Sequence, residues 1–138
     1  MADPKKEPKQ LQVLESERQL LCTRFSPDGT HLIAGGMDAQ VHRWHRAEVA
    51  PEKEGDEKKI EWQPLPNLAG HHAWVGALGF HPKAKHIFTG DSWGHLRCTD
   101  YEGQKLKVHW SQKTAHDGWL RQIAVSKKHL ATVGRDGA

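Results

Sequence analysis

The side chains with the clearest capacity for chemistry are histidines, of which this 138-residue sequence has 11. Imidazole nitrogens bind transition metals and transfer protons near neutral pH. His42 and His45 lie three positions apart. Residues three apart in a β-strand point to opposite faces, so this pair is badly placed to share one ion. His71 and His116 could meet only between neighbouring modules of a repeating fold. We therefore expect no physiological metal ion.

Three motifs of known enzyme classes are absent from the sequence. It contains no HExxH, Walker A or glycine-rich dinucleotide motif, although each of these has a spacing that a sequence shows directly. The serine, histidine and aspartate residues instead fall at repeating positions. We therefore expect a protein that is not an enzyme and that needs no cofactor.

The charge balance and the hydropathy argue against two classes of partner. The 20 basic and 17 acidic residues give a formal charge of +3, and the basic residues are not clustered as they are on a nucleic-acid-binding face. No apolar run approaches the roughly 18 residues of a membrane span, and the start MADPKKEPKQ lacks a secretory signal. We expect a cytoplasmic protein that binds neither nucleic acid nor membrane. The two cysteines, Cys22 and Cys98, lack the spacing of a zinc site and should be buried and reduced.

The elements that position these residues repeat along the chain. Three segments, 20–44, 75–99 and 120–138, align with one another, and their first residues are 55 and 45 positions apart. The first spacing is lengthened by a charged insert, Ala47–Lys59, which we expect to be a solvated loop. Without that insert both spacings are about 42 to 45 residues, and a period of this size indicates stacked modules.

Each repeat reads as antiparallel strands. Residues 20–25 are followed by Ser26-Pro27-Asp28-Gly29, in which proline and glycine favour a tight turn. Short strands then follow at 31–35 and 40–44, and 60–65 and 106–110 are expected to be the fourth strands of the first two units. Residues 11–14 would be the same strand of a preceding unit, whereas a helix over 11–21 is the alternative.

This pattern resembles the WD-repeat β-propeller family. The resemblance rests on residues 25–29, on Gly36-Met37-Asp38 through Trp44, on Gly70-His71, and on Ala115-His116 with Gly134-Arg135-Asp136-Gly137. It implies an all-β fold, a partial β-propeller of four-stranded blades whose third blade is incomplete. The expected units are 15–66, 70–111 and 115–138 within a domain covering 11–138, after a flexible lead at 1–10. The style of the sequence suggests a bacterial member.

The resemblance also implies a stabilising network in each blade, formed by a His before the first strand, a Ser or Thr in the second, an Asp in the next turn and a Trp in the third. No unit carries all four. The first unit has Ser16 and Ala34 at two of the positions, and the second has Trp93 and Thr99 where Asp and Trp are expected. The matching residues are Asp38, Trp44, His71, Thr89, His116, Thr132 and Asp136.

Partners of this family are usually bound where the loop into each first strand meets the turn after each second strand. Trp and Arg dominate the energetics of interfaces, so they are the first candidates among the residues at these positions. Packing between blades is the alternative role for the two tryptophans. The candidate binding residues are Trp74, Trp119, Arg121, Arg135, Met37 and Ser92.

Two and a half blades cannot close a ring, since propellers typically have four to eight blades. The expected function is that of a protein-interaction scaffold with an unidentified protein partner, as an N-terminal fragment of a larger WD-repeat protein. A short protein that completes its ring by forming a homo-oligomer is the first alternative. A propeller-type enzyme or a metal-binding protein is the alternative from another class.

Overall fold

Ten β-strands form the regular structure of residues 7–138, which are the residues that this computed structural model describes. Within that range no helix is long and apolar enough to cross a membrane. Of the expected lead at 1–10, residues 1–6 lie outside the described residues, and residues 7–10 are exposed without regular structure. The strands are β1 Leu20–Phe25, β2 His31–Gly36, β3 Val41–Val49, β4 Lys59–Leu68, β5 Val75–Phe80, β6 His86–Asp91, β7 Leu96–Asp100, β8 Val108–Gln112, β9 Leu120–Val125 and β10 Leu130–Gly134.

The strands form three antiparallel sheets in chain order. The first sheet contains β1 to β4 (blade 1), the second β5 to β8 (blade 2), and the third only β9 and β10 (blade 3). The sequence predicted most of the hairpins correctly because a Gly- or Pro-containing segment follows most of the short strands. The turn between β9 and β10, residues 126–129, contains neither residue type. The all-β prediction, with four-stranded blades and a short third one, is confirmed.

Every blade begins with the same irregularity. In each first strand one residue is bulged out of register with the second strand, and these residues are Leu21, Gly76 and Arg121. A β-bulge leaves one residue unpaired and re-aims its side chain. The loop before each bulge is held by one backbone hydrogen bond from the turn after the second strand. The donors and acceptors are Met37 N–H to Gln19 O at 2.9 Å, Ser92 N–H to Trp74 O at 2.9 Å and Arg135 N–H to Trp119 O at 2.8 Å.

Apolar side chains fill the space between consecutive blades. Burying one large apolar side chain stabilises the folded state by roughly 1.5–3 kcal/mol. Blades 1 and 2 enclose Ile33, Val41, Leu68, Val75, Leu78, Ile87 and Tyr101, and blades 2 and 3 enclose Ala77, Phe88, Leu96, Cys98, Leu120 and Ile123. The sheets approach closely at Gly35, where a Cβ would lie 2.3 Å from the carbonyl oxygen of Val75. A side chain at this position would separate blades 1 and 2.

Arg43 provides a polar connection between blades 1 and 2. Its side chain is buried with 1% exposure, and its Nη1 donates to the carbonyls of Tyr101 and Gly103 at 2.9 Å each. Its Nε donates to the carbonyl of Pro66 at 2.8 Å. Burial lowers the pKa of the Arg43 guanidinium. The charge is compensated by carbonyl dipoles, as a buried polar group requires.

The charged insert at 47–59 is partly strand, which corrects its interpretation as a loop. β3 continues to Val49 and β4 begins at Lys59, so only residues 50–58 lie outside the strands. The antiparallel ladder pairs Ala47 with Glu61 and Val49 with Lys59, because a two-stranded ribbon can extend into solvent with polar side chains on both faces. β4 also continues to Leu68, and β8 begins at Val108, so both fourth strands end two or three residues later than expected.

The segment before β1 forms neither of the two expected elements. Residues 7–16 contain no helix and no strand. The side chain of Gln12 instead donates through Nε2 to the carbonyl of Trp62 at 3.1 Å and accepts from the Trp62 N–H at 2.9 Å. Leu11 is 88% exposed, so this segment lacks the buried face that stabilises a strand or a short helix.

Candidate interaction surface and histidine networks

Blade 2 contains a buried network of His71, Thr89 and Asp91. Nδ1 of His71 lies 2.7 Å from Oδ2 of Asp91, and Nε2 lies 2.7 Å from Oγ1 of Thr89. A carboxylate only accepts, so Nδ1–H donates to Asp91, and the other ring nitrogen, Nε2, faces the Thr89 hydroxyl. Burial raises the pKa of Asp91, but bonds from His71 and from the backbone amides of His95 and Trp93 outweigh burial and hold it below its ordinary value.

Blade 3 has the same arrangement with His116, Thr132 and Asp136. His116 Nδ1 lies 3.0 Å from Oδ1 of Asp136, and Nε2 lies 2.7 Å from Oγ1 of Thr132. Backbone amides of Asp117 and Ala138 also donate to the Asp136 carboxylate. The Asp117 amide, then His116, then the Ala138 amide lower the pKa of Asp136 to about 2. The network therefore ties the loop before β9 to the turn after β10.

Blade 1 uses different partners around its aspartate. Oδ2 of Asp38 lies 2.9 Å from Nε2 of His42, and Oδ1 accepts from the Gln40 amide at 3.1 Å. The His42 ring stacks on Trp44 with centroids 6.1 Å apart. Trp44 is buried, and Ala34 is buried at the position where the other blades have a threonine. His42, which the sequence analysis considered only as a metal ligand, thus bonds the aspartate of this blade.

The carboxylate of blade 2 comes from a position that the sequence analysis missed. Trp93 was expected at the aspartate position, whereas Asp91 is two residues earlier and pairs with Val75 in the ladder. Glycines hold the equivalent position in the other blades, Gly36 and Gly134. A Cβ on Gly134 would lie 2.8 Å from Oδ1 of Asp136. A side chain starting from this position therefore reaches the site where the turn aspartate places its carboxylate.

Three of the candidate binding residues form one continuous cluster. The Trp74 and Trp119 rings meet edge to face with centroids 5.9 Å apart, and the Arg121 guanidinium lies 4.2 Å above the Trp119 ring centroid. Trp74 is 41% exposed. The tryptophans therefore connect the loops before β5 and β9 and also present aromatic surface to solvent.

Beside this cluster is a cavity of about 560 Å³ that is open to solvent. Met37, Ser92, Trp74 and Trp119 line it, whereas Arg135 does not. Trp93 also lines it and is 67% exposed. The sequence signal for Trp93 was an aromatic residue within a turn, between Ser92 and Gly94. The remaining lining residues are Arg18, Asp38, Ala39, His72 and Ala73.

Two groups of metal-ligating side chains come together in the described part of the chain. One is His71, Asp91 and His95, and the other is His86, Asp100 and His109. The pair considered from the sequence, His42 and His45, belongs to neither group. The first group is the blade 2 network, in which both ring nitrogens of His71 already have partners. The second group lies on strands β6, β7 and β8 and has no counterpart in the sequence analysis.

Comparison with known proteins identifies the repeat. The model of the family described as WD domain, G-beta repeat matches residues 8–45 and 62–100. The Nuclear distribution protein PAC1 of Arthroderma benhamiae and that of Trichophyton verrucosum are each 40% identical over 58 residues, 41% of this chain and 12% of theirs. The Nuclear distribution protein nudF 2 of Penicillium rubens is 26% identical over 108 residues, 75% of this chain and 23% of its own.

The chain therefore aligns with about an eighth to a quarter of the length of these relatives. These relatives do not support the bacterial origin that the sequence style suggested. The two family matches together cover more than half of the chain. The first includes β1, β2 and part of β3, and the second includes most of β4 together with β5 to β7. This chain belongs to the WD-repeat family.

Proposed function

We propose that the cluster of Trp74, Trp119 and Arg121, with the adjoining cavity, binds a protein partner and that the chain is a non-catalytic interaction module. The observation that supports this most directly is the edge-to-face packing of Trp74 against Trp119, with the guanidinium of Arg121 over the Trp119 ring. Trp and Arg are the side chains most often responsible for interface affinity. WD-repeat domains generally mediate protein–protein interactions, which agrees with this assignment.

The chemistry of the cavity describes the part of the partner that would enter it. Three tryptophans give the cavity large apolar surfaces, and Arg18 lines its edge. Arg121 is exposed beside it. We expect an aromatic or aliphatic anchor residue from the partner, with an acidic residue next to it that pairs with one of the arginines.

We also propose that these blades function within a larger propeller of WD repeats. The support is an apolar groove on the outer face of blade 1, about 320 Å³ in volume, that Leu14, Leu20, Leu21 and Trp44 help to line. A further blade packed there would cover these side chains as blade 2 covers the other face of blade 1. Light scattering tests this: a monomer supports the proposal, and a discrete oligomer with a sharp melting transition would instead favour self-association.

A photo-cross-linking amino acid at position 93 tests the binding surface in cells that express the protein. We expect one protein adduct, identified by mass spectrometry, that is absent when the cross-linker replaces Lys128 in the turn between β9 and β10 at the other end of blade 3. With that partner purified, Trp119→Ala should raise the Kd by about thirtyfold, the equivalent of about 2 kcal/mol.

The folding of the variants separates binding from packing. Trp74→Ala and Trp119→Ala proteins that keep their urea midpoints but lose the partner support a binding surface. Variants that unfold instead would show that the tryptophans serve to pack the blades. Identical adducts from positions 93 and 128 would contradict the proposal.

The two free thiols support a cytoplasmic location, which we also propose. Cys22 and Cys98 form no disulfide, and proteins of oxidising compartments generally use their cysteines in disulfides. Fluorescence microscopy of the tagged protein measures this directly, and a signal confined to a membrane-bound compartment would contradict it.

A further inference from the structure

Three side chains from three adjacent strands of blade 2 converge on one patch of surface. His86 is the first residue of β6, Asp100 the last of β7, and His109 lies in β8. Oδ1 of Asp100 lies 2.6 Å from Nε2 of His109 and 3.5 Å from Nε2 of His86. The two imidazole rings are close, with centroids 4.1 Å apart. All three ligand atoms lie within 4.8 Å of one another.

The sheet explains why these residues share one face. His86 and Asp100 are directly opposite in the β6–β7 ladder, so their side chains point the same way. His109 is the extra residue of a bulge, since Thr99 pairs with Val108 and Cys98 pairs with Trp110. Bulges re-aim a side chain, and here the bulge brings His109 to Asp100.

We propose that His86, Asp100 and His109 form a binding site for a divalent transition-metal ion of the zinc class, with an open fourth position. Zinc binds His nitrogens and Asp oxygens at about 2.0–2.2 Å in tetrahedral geometry, which places neighbouring ligand atoms roughly 3.3 Å apart. The His86 distance of 3.5 Å already fits this spacing. The distance between Asp100 Oδ1 and His109 Nε2 must lengthen by less than 1 Å, which side-chain rotation allows.

The charge state of the cluster suits a cation. Burial first, and then the neighbouring His109, lower the pKa of His86. Oδ1 of Asp100 faces the histidines, whereas Oδ2 lies 4.0 Å from Nζ of Lys107. The side chain of Lys107 is 70% exposed, so this ion pair is weak. About a third of each histidine side chain is exposed, which gives an ion access from solvent.

The other His–Asp cluster does not compete as a site. The side chains of His71 and Asp91 are each 1% exposed, and the ring nitrogens of His71 bond Asp91 and Thr89. An ion there would have to break the bonds that join the loop before β5 to its sheet. At the surface cluster of His86, Asp100 and His109, a bound ion would replace only one exposed hydrogen bond, the one between Asp100 and His109.

Isothermal titration of the tag-free full chain with Zn²⁺ tests the site, together with visible absorption of the Co²⁺ form. We expect one ion per chain and the intense visible bands of four-coordinate cobalt. Each of three single substitutions should lower the Zn²⁺ affinity by at least about tenfold: His109→Gln, Asp100→Asn and His86→Gln. Mutating even a residue that only hydrogen-bonds to a metal ligand lowers metal affinity by that factor. His129→Gln, an exposed histidine in the turn of blade 3, should leave the affinity unchanged.

Control measurements distinguish a loss of metal binding from a loss of folding and from binding at the other histidine cluster. His109 is an exposed residue, so its variant should retain the urea midpoint of the parent protein. Saturating Zn²⁺ should raise the melting temperature of the parent but not of His109→Gln. No heat of binding, no loss of affinity in His109→Gln, or an equal loss in His71→Gln would each overturn the proposal.

Discussion

Asp91 bonds Nδ1 of His71 from a chain position that glycine occupies in the other two blades. Its Oδ1 accepts from the amide of His95 at 3.0 Å, and the turn aspartates Asp38 and Asp136 accept from the equivalent amides of Gln40 and Ala138. The three blades therefore hold a carboxylate against the same amide while attaching it at two different backbone positions.

Moving the carboxylate back to the turn position should restore a blade that has lost it. Asp91→Gly removes the acceptor of His71 Nδ1 and of two backbone amides, and we expect a loss of about 3–5 kcal/mol in the free energy of unfolding. Adding Trp93→Asp reproduces the glycine–aspartate pair of blade 3 and should recover at least half of that loss. Urea denaturation measures both variants, and a double variant no more stable than Asp91→Gly would refute the equivalence of the two positions.

The buried arginine between blades 1 and 2 should contribute strongly to stability. Arg43→Met removes the donors to three carbonyls of the two blades. Hydrogen bonds from charged groups contribute about 1.5–3 kcal/mol each, so we expect a loss of about 3 kcal/mol or more. Arg24→Met, on the exposed face of β1, is the matched control and should change stability by less than about 0.5 kcal/mol. Equal effects of the two substitutions would show that the contacts of Arg43 add nothing.

Stability should fall on mild acidification. Burial lowers the pKa of His31, His86 and His95 in the folded state. The unfolded chain, with ordinary values of about 6.5, then binds more protons than the native state. The stabilisation is complete above that value and is lost as the pH falls through it toward the folded pKa. Urea midpoints from pH 7.5 to 5 should decline, and His95→Gln should decline less steeply; a rise with acidification would contradict the assignment.

The two thiols should react slowly in the native protein. Burial, with a smaller effect from Asp100, raises the pKa of Cys98 to about 11, and burial also raises that of Cys22. At pH 8 a thiol reagent should modify both only slowly, with Cys22 the faster because it is less deeply buried. In urea both should react at the rate of a free thiol. Cys22→Ser isolates Cys98, and rapid native labelling of that variant would contradict the burial argument.

The sheets and their order were predictable because local chemistry repeats. Turn residues such as Pro27 and Gly29 favour the end of a strand, and three aligned copies reinforce one another. The same comparison of repeat positions did not identify Asp91 as the carboxylate of blade 2. A repeat alignment compares chain positions, whereas the bond to His71 depends on where the carboxylate lies in space.

The metal-ligating cluster could not be predicted for a different reason. His86, Asp100 and His109 are spread over 24 positions of the chain, and only the lateral pairing of three strands brings them together. The bulge at His109 interrupts the side-chain alternation of β8, so an alternating strand pattern alone does not fix the face on which that ring lies. Pairing register and bulges are tertiary properties that the residue sequence does not show directly.

The unpaired residue in each first strand differs from blade to blade. Leu21, Gly76 and Arg121 occupy the same structural position in successive blades, and their chemistries have nothing in common. Since the backbone pairing of the ladder does not use these residues, substitutions at them should leave the sheet intact. For protein engineering, each blade thus offers one position at which a new side chain can be introduced without rebuilding the fold.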